Sequence, residues 1–252
     1  MNMKILALEE VEAVHDLTGV TASILAGGTG TRLRPVVADR PKVLAEIRGR
    51  PFLAYLLDQL HYAGIKYVVL CIGYMGEQVK AMFGDYYDSI RIVYSHESSP
   101  LGTAGALRLA LPLFKSDSVL VLNGDSFCEV NLRAFWAWHC DRGADATLII
   151  TENSDTKRYG RVIMDTNGRI LNFDEKTDKG GPGCINSGIY LIKYRLLQMI
   201  PENRNVSLEK GIFPAWIRQR LYGYRNIGRF LDIGTPEAYA AAEQFFTPTK
   251  VL

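Results

Sequence analysis

Several features that mark membrane, nucleic-acid, redox or structural-metal proteins are scarce in this chain of 252 residues. No stretch approaches the roughly 20 consecutive apolar residues that a membrane-spanning helix needs, so no membrane partner is expected. The net charge is only +2 and no basic stripe is present, which argues against nucleic acid as a partner. Cysteine occurs four times, at 71, 128, 140 and 184, without a C-x-x-C pair; buried, reduced thiols explain that pattern better than a zinc site or a disulfide framework. Histidine also occurs four times, and none falls in the motifs described below. His139-Cys140 reads as a helix end rather than a metal site. Glu9, Glu10 and Glu12 stand where a secretory signal requires a basic and then an apolar region, so a cytoplasmic protein is expected. Repeats and low-complexity linkers are missing too, and the length suits one domain with a sizeable core.

What is present is organised around Ser23–Lys42, S-I-L-A-G-G-T-G-T-R-L-R-P-V-V-A-D-R-P-K. Ile24-Leu25-Ala26 is a short buried-type strand. It ends in Gly27-Gly28-Thr29-Gly30, where glycine lets the backbone turn sharply and approach a ligand closely. Successive backbone N–H groups in such a turn suit phosphate oxygens. Arg32 and Lys42 add two cations, and together these residues describe a polyphosphate pocket. A P-loop is excluded because no lysine follows Gly30, and a dinucleotide fingerprint starting at Gly28 would need glycine where Leu33 stands.

Downstream, residues 50–62 read as a helix from the spacing of Phe52, Leu56 and Leu60, with Gly64 placed to end it. Tyr67–Ile72 and Ile90–Tyr94 read as strands separated by a helix over 75–83, an alternation that predicts a mostly parallel sheet. Gly102 and Gly105, in P-L-G-T-A-G-A-L, remove side chains where a flat ring could lie against backbone, with Thr103 a candidate helix cap. The strand Val119–Leu122 ends in Asn123-Gly124-Asp125, placing a carboxylate suited to Mg²⁺ at the end of a central strand. A further strand over 145–151 precedes Tyr159-Gly160-Arg161, which opens a hairpin with its turn at Asn167-Gly168. Ser207 reads as the cap of a helix, a short strand covers 221–224, and Thr235, Pro236 and Glu237 start a last helix. Asp232 is not needed for that cap.

Gly27-Gly28-x-Gly30-Thr31-Arg32-Leu33-x-Pro35, followed by Pro41-Lys42, resembles the opening motif of the sugar-1-phosphate nucleotidyltransferases, and the likeness extends over about residues 20–245. The resemblance implies a Rossmann-like three-layer α/β/α nucleotide-diphospho-sugar transferase fold with a mixed, mostly parallel central sheet. It further implies one domain over 1–252, with a nucleotide-binding half at about 20–145, a sugar-binding half at about 146–245 and no C-terminal β-helix. By the same resemblance Arg32, Lys42 and Asp125 are catalytic. Leu25, Ala26, Gly27, Gly28, Gly30, Thr31, Gly102, Thr103 and Gly105 would bind the nucleotide. Gly124, Gly160, Glu175, Lys176 and Asn186 would bind the sugar phosphate, and Asp125 with Asp232 would hold Mg²⁺. The implied substrates are a nucleoside triphosphate and a sugar 1-phosphate, with pyrophosphate released, and the family's habit of associating implies a homodimer. P-L-G-T-A-G-A-L is similar to the guanylyltransferase branch, favouring GTP. Ser207-Leu-Glu-Lys-x-Ile-Phe-Pro214 resembles the D-glycero-α-D-manno-heptose 1-phosphate guanylyltransferases. Mannose 1-phosphate is the first alternative sugar, a thymidylyl or uridylyl enzyme using glucose 1-phosphate the second, and a silent nucleotide-sugar sensor the rival of another class. Two departures stand out. Thr177 replaces the proline common after the lysine, and residues 1–19 precede the usual start, with Met1–Leu8 a candidate edge strand.

Overall fold

The computed structural model describes residues 16–157, 159–174 and 180–247. Glu175, Lys176, Thr177 and the candidate edge strand Met1–Leu8 lie outside the described residues. No helix among the described residues is long and apolar enough to cross a membrane.

Four parallel strands form the heart of the sheet: β1 (Thr21–Ala26), β4 (Tyr67–Ile72), β6 (Ile90–His96) and β7 (Ser118–Asn123), with β1 between β4 and β7. Short β5 (Tyr86–Tyr87) adds an antiparallel edge beside β6. On the other side, β12 (Gly183–Lys193) runs antiparallel to both β7 and β9 (Ala146–Asn153), and β13 (Leu221–Asn226) lies parallel to β9. The resulting order is β13-β9-β12-β7-β1-β4-β6-β5, the mixed, mostly parallel sheet expected. β4 is buried almost throughout because helices cover both sheet faces, which is why its sequence shows no alternation.

One face carries α1 (Phe52–Ala63), α2 (Gly76–Phe83) and α4 (Leu132–Asp141), which bury Phe52, Leu56, Leu60, Val79 and Phe135 against the sheet. The opposite face carries α3 (Gly102–Ala110) and α5 (Tyr194–Gln198), with Leu107, Leu196 and Leu197 in a second core. α1 begins two residues later than the spacing suggests. Pro51 drives the residue before it to extended backbone, and Arg50-Pro51 pair as β3 with β2 (Glu46–Ile47). Gly64, left-handed at φ 98°, ends the helix as anticipated. The hairpin of β10 (Arg161–Met164) and β11 (Ile170–Asp174) turns at Asn167-Gly168, with Gly168 at φ 82°. Ser207 and Thr235 act as caps, accepting from the backbone N–H groups of Lys210 and Ala238. Ser207 opens a π-helical turn, Leu208–Ile212, and Thr235 opens α6 (Pro236–Phe245).

The start of α3 departs from expectation. Leu101 is its cap residue, while the Thr103 hydroxyl accepts from Leu208 N at 2.8 Å. The first turn of α3 rests directly on residues 204–206. A Cβ on Gly102, at φ 72°, would stand 2.5 Å from the Val206 carbonyl oxygen, and one on Gly105 would stand 2.5 Å from that of Arg204. The chain's own backbone therefore demands glycine at both positions, whatever else they contact.

At the sheet end remote from the loops described next, Asp145 is 4% exposed and meets three cations: Arg195 at 2.6 Å, Arg220 at 3.1 Å and Lys193 at 3.4 Å. It ties together the ends of β9, β12, β13 and α5. Burial alone would raise its pKa, but hydrogen bonds from Arg195 and Arg220 outweigh that and hold the carboxyl well below the usual carboxylate range.

Two outcomes are expected. Because the folded-state pKa of Asp145 is depressed, its contribution is present above the unfolded pKa and lost as pH falls towards the folded one. Asp145→Asn should cost about 2 kcal/mol at neutral pH. In denaturant titrations the gap from wild type should hold above about pH 5 and narrow below pH 4. Gly105→Ala should lower stability by ~1 kcal/mol, since overpacking at about 1–3 kcal/mol outweighs alanine's gain in a helix.

Candidate active site

A cleft of about 1010 Å³ opens at the C-terminal ends of β1 and β7, where the sheet's connections diverge to the two sides. The glycine loop after β1 forms one wall. Its turn is closed by the N–H groups of Leu33 and Arg34, both donating to Gly30 O, and Gly30 sits at φ 61°. Leu33, the residue that breaks the dinucleotide fingerprint, is buried and pins the loop to the core. A Cβ on Gly27 would stand 2.7 Å from a Glu97 carboxylate oxygen and 3.3 Å from Gly73 N, so a side chain there would push Glu97 aside. At Gly28 nothing lies within 4 Å, so the protein itself does not demand glycine there and the space above the loop is open.

Asp125 and Asp232 come from distant parts of the chain and are joined by a short ladder. β8 (Ser126–Cys128) pairs antiparallel with β14 (Phe230–Asp232), setting Asp232 opposite Ser126, and Ile233 N donates to Asp125 O at 2.9 Å. Asp232 Oδ1 accepts from Gly234 N at 2.6 Å. Lys42, mostly buried, donates its ammonium to Asp125 Oδ2 at 2.6 Å. A Cβ on Gly234 would stand 2.7 Å from Asp232 Oδ1 and 3.4 Å from both Arg32 Nη2 and Lys42 Nζ. Two cations and two carboxylates thus share one small volume beside the glycine loop. No group of three or more histidine, cysteine, aspartate or glutamate side chains able to hold a metal occurs among the described residues. A two-carboxylate donor set fits Mg²⁺, which keeps several waters and completes its shell with substrate phosphates, and suits a caged structural ion poorly.

The opposite wall comes from β12 and the β10–β11 hairpin. A register break between Asn186 and Tyr190 bulges β12, with Gly188 at φ 78°. A Cβ on Gly188 would collide with Ser126 Oγ at 2.6 Å. Asn186 Oδ1 accepts from Gly188 N and its Nδ2 donates to the Tyr190 hydroxyl, both at 2.9 Å. Gly124 is equally constrained, since its N–H donates to Leu25 O at 3.0 Å and a Cβ would stand 2.5 Å from that oxygen.

Of the residues singled out from the sequence, Leu25, Ala26, Gly27, Gly28, Gly30, Thr31, Arg32 and Lys42 line the cleft, as do Gly102, Thr103, Gly124, Asp125, Gly160, Asn186 and Asp232. Gly105 does not, because it faces the 204–206 backbone. His139 is buried at the end of α4, its Nδ1 2.8 Å from Thr147 Oγ1, and desolvation lowers its pKa to about 4. Cys71 is buried and burial pushes its thiol to about 12, which suits an inert core thiol.

Sequence reading missed Glu97, Glu209 and Asn123, which also line the cleft. Glu97 follows β6 directly, accepts from Leu101 N at 3.0 Å and has its pKa raised by burial. Its position just past a strand end was the available signal, the same one that marks Asp125. Glu209 lies in the Ser207–Pro214 stretch that resembles the guanylyltransferases, but nothing in that stretch pointed to a role for its carboxylate.

Residues 21–248 match the nucleotidyl transferase family. D-glycero-alpha-D-manno-heptose 1-phosphate guanylyltransferase of Aneurinibacillus thermoaerophilus is 35% identical over 224 residues, covering 88% of this chain and 96% of that protein. Mannose-1-phosphate guanylyltransferase catalytic subunit beta of Drosophila melanogaster is 36% identical over 226 residues, 88% of this chain; the match spans only 61% of that longer protein. Crystal structures of HddC from Yersinia pseudotuberculosis, one of them complexed with GMP-PN, superpose with a TM-score of 0.80 at 30% identity, covering 90% of this chain and all of that one. The glycine loop, the paired carboxylates at the strand ends and these likenesses establish that the chain belongs to the nucleotidyl transferase family.

Proposed function

We propose that the protein transfers GMP from GTP to a sugar 1-phosphate, giving a GDP-sugar and pyrophosphate, with D-glycero-α-D-manno-heptose 1-phosphate as the sugar substrate. The observation that carries this reading is the convergence of Arg32, Lys42, Asp125 and Asp232 beside the glycine loop in one cleft. Relatives of this length and of greater length named as guanylyltransferases support it.

A phosphate oxygen of the sugar 1-phosphate attacks the α-phosphorus in line. A new P–O bond forms there, and the bond to the bridging oxygen breaks as pyrophosphate leaves with its electron pair. The attacking oxygen is already an anion, so no general base is needed, and no histidine lines the cleft among the described residues. The barrier is electrostatic, because two anions meet while charge grows on the leaving group. Arg32 and the glycine-loop N–H groups hold the β- and γ-phosphates, and Lys42 neutralises the incoming phosphate, with Lys176 as its expected second cation. Asp125 and Asp232 would hold Mg²⁺, which when bound offsets negative charge at the α-phosphate. Glu97 offers a carboxylate acceptor beside Gly27 and the 100–102 loop, suited to the N1–H and N2–H donors on the edge of guanine and ill suited to the carbonyl-rich edge of uracil or thymine. Asn186 and Gly160 face the sugar. Mannose 1-phosphate is the second reading, favoured by the mannose-specific names among the relatives.

Pyrophosphate release should be measured with each of GTP, ATP, CTP, UTP and dTTP crossed with heptose, mannose and glucose 1-phosphates in the presence of Mg²⁺. Release with GTP and heptose 1-phosphate is expected. Release with GTP and mannose 1-phosphate would change only the sugar, and release confined to UTP or dTTP would overturn the role given to Glu97. No release with any pair would leave a silent sensor as the better account. Arg32→Ala and Asp125→Ala should each lower kcat by about 100-fold or more with an unchanged melting temperature.

A further inference from the structure

Glu209 sits where the two walls of the cleft meet. Its Oε2 accepts from Thr103 Oγ1 at 3.0 Å and from Ser207 Oγ at 2.8 Å. Its Oε1 accepts from the Tyr190 hydroxyl at 3.3 Å. Each hydroxyl is in turn fed by another donor. Thr103 Oγ1 accepts from Leu208 N, Ser207 Oγ from Lys210 N, and the Tyr190 oxygen from Asn186 Nδ2. An ionised carboxylate only accepts, so it sets the direction of every bond in the chain Asn186→Tyr190→Glu209←Thr103. Asn186 Oδ1 is already committed to Gly188 N, which fixes the flip of that amide and leaves its remaining Nδ2 hydrogen for the cleft. The arrangement leaves one acceptor short. Asn123 Nδ2 also points at the Tyr190 oxygen, at 3.4 Å, and Asn123 Oδ1 is buried with no donor among the described residues, because the Tyr190 proton goes to Glu209. A buried acceptor left unsatisfied is costly and persists only when the rest of the network over-determines it.

We propose that Glu209 is a positioning residue that couples the nucleotide side of the cleft, at Thr103, to the sugar side, at Asn186, through the Tyr190 hydroxyl. The inference rests on the guanylyl-transfer reading above. It implies that occupancy of one side tightens the other, since the orientation of the Asn186 amide and the seat of the α3 helix start are held by the same carboxylate. The Tyr190 ring is fully buried and packs edge-on against Phe213 at 4.9 Å, so Tyr190→Phe removes the hydroxyl and little else. Thr103→Val does the same on the nucleotide side.

The test is a double-mutant cycle read in steady-state kinetics, with melting temperatures checking that each variant is folded. Tyr190→Phe should raise the KM for GTP, and Thr103→Val the KM for the sugar 1-phosphate, each by at least about 5-fold although the change lies on the other wall. The double variant should lose less in kcat/KM than the product of the two single losses. Glu209→Gln, which keeps the shape but can donate to Tyr190, should raise both KM values, and Thr103→Ser, which keeps the hydroxyl, should reverse most of the rise in sugar 1-phosphate KM that Thr103→Val causes. If each variant affects only the substrate on its own side and the losses multiply, the coupling is refuted while guanylyl transfer stands. An inactive wild type would overturn both.

Discussion

The site depends on one short piece of backbone pairing. β8 and β14 are three residues each, yet their ladder and the Ile233–Asp125 hydrogen bond bring together two carboxylates that the sequence separates widely. Two like charges held close repel, and the repulsion grows as water is excluded. Lys42 offsets it with a 2.6 Å contact to Asp125, and Arg32 stands near enough to Gly234 to share the same field. The opposing charges leave two carboxylates and two cations side by side next to the glycine loop.

The remainder of the fold serves to hold the walls of that spot apart at a fixed width. One wall is parallel sheet with its glycine loop pinned by buried Leu33. The other begins where β12 runs antiparallel to both neighbours, and its bulge at Gly188 turns Asn186 towards the cleft. Because β12 pairs directly with β7, the strand that delivers Asp125, neither wall can shift without disturbing the ladder between them.

Charge is used in two ways at the two ends of the sheet. Near its far edge Asp145 is buried among Arg195, Arg220 and Lys193, where it satisfies hydrogen bonds and closes strand ends. At the cleft, Lys42 and Asp125 form a pair with the carboxylate 41% exposed, so the partner can be exchanged for a ligand at modest cost. Burial separates a cluster closed on itself from one open to the cleft.

Local chemistry was legible in the sequence. The glycine loop, Arg32 and Lys42 stood out because tight turns and phosphate contacts are made by neighbouring residues. The hairpin turn at Asn167-Gly168 and the caps at Ser207 and Thr235 are likewise short-range devices. Asp232 was visible because the helix start beside it had no use for it. Gly105 faces the 204–206 backbone instead of lining the cleft: close approach of a ligand and close approach of the chain's own backbone both demand glycine, and only the position of those residues tells them apart. Glu209 lay in a stretch the resemblance marked, but its partners did not show, since Thr103 and Tyr190 reach it from separate segments. The sequence alone therefore determined which strand ends carry the glycine loop and the acidic groups. Tertiary structure decided which of them meet and how the two walls share a hydrogen-bond network, because those contacts depend on strand pairing between residues far apart along the chain.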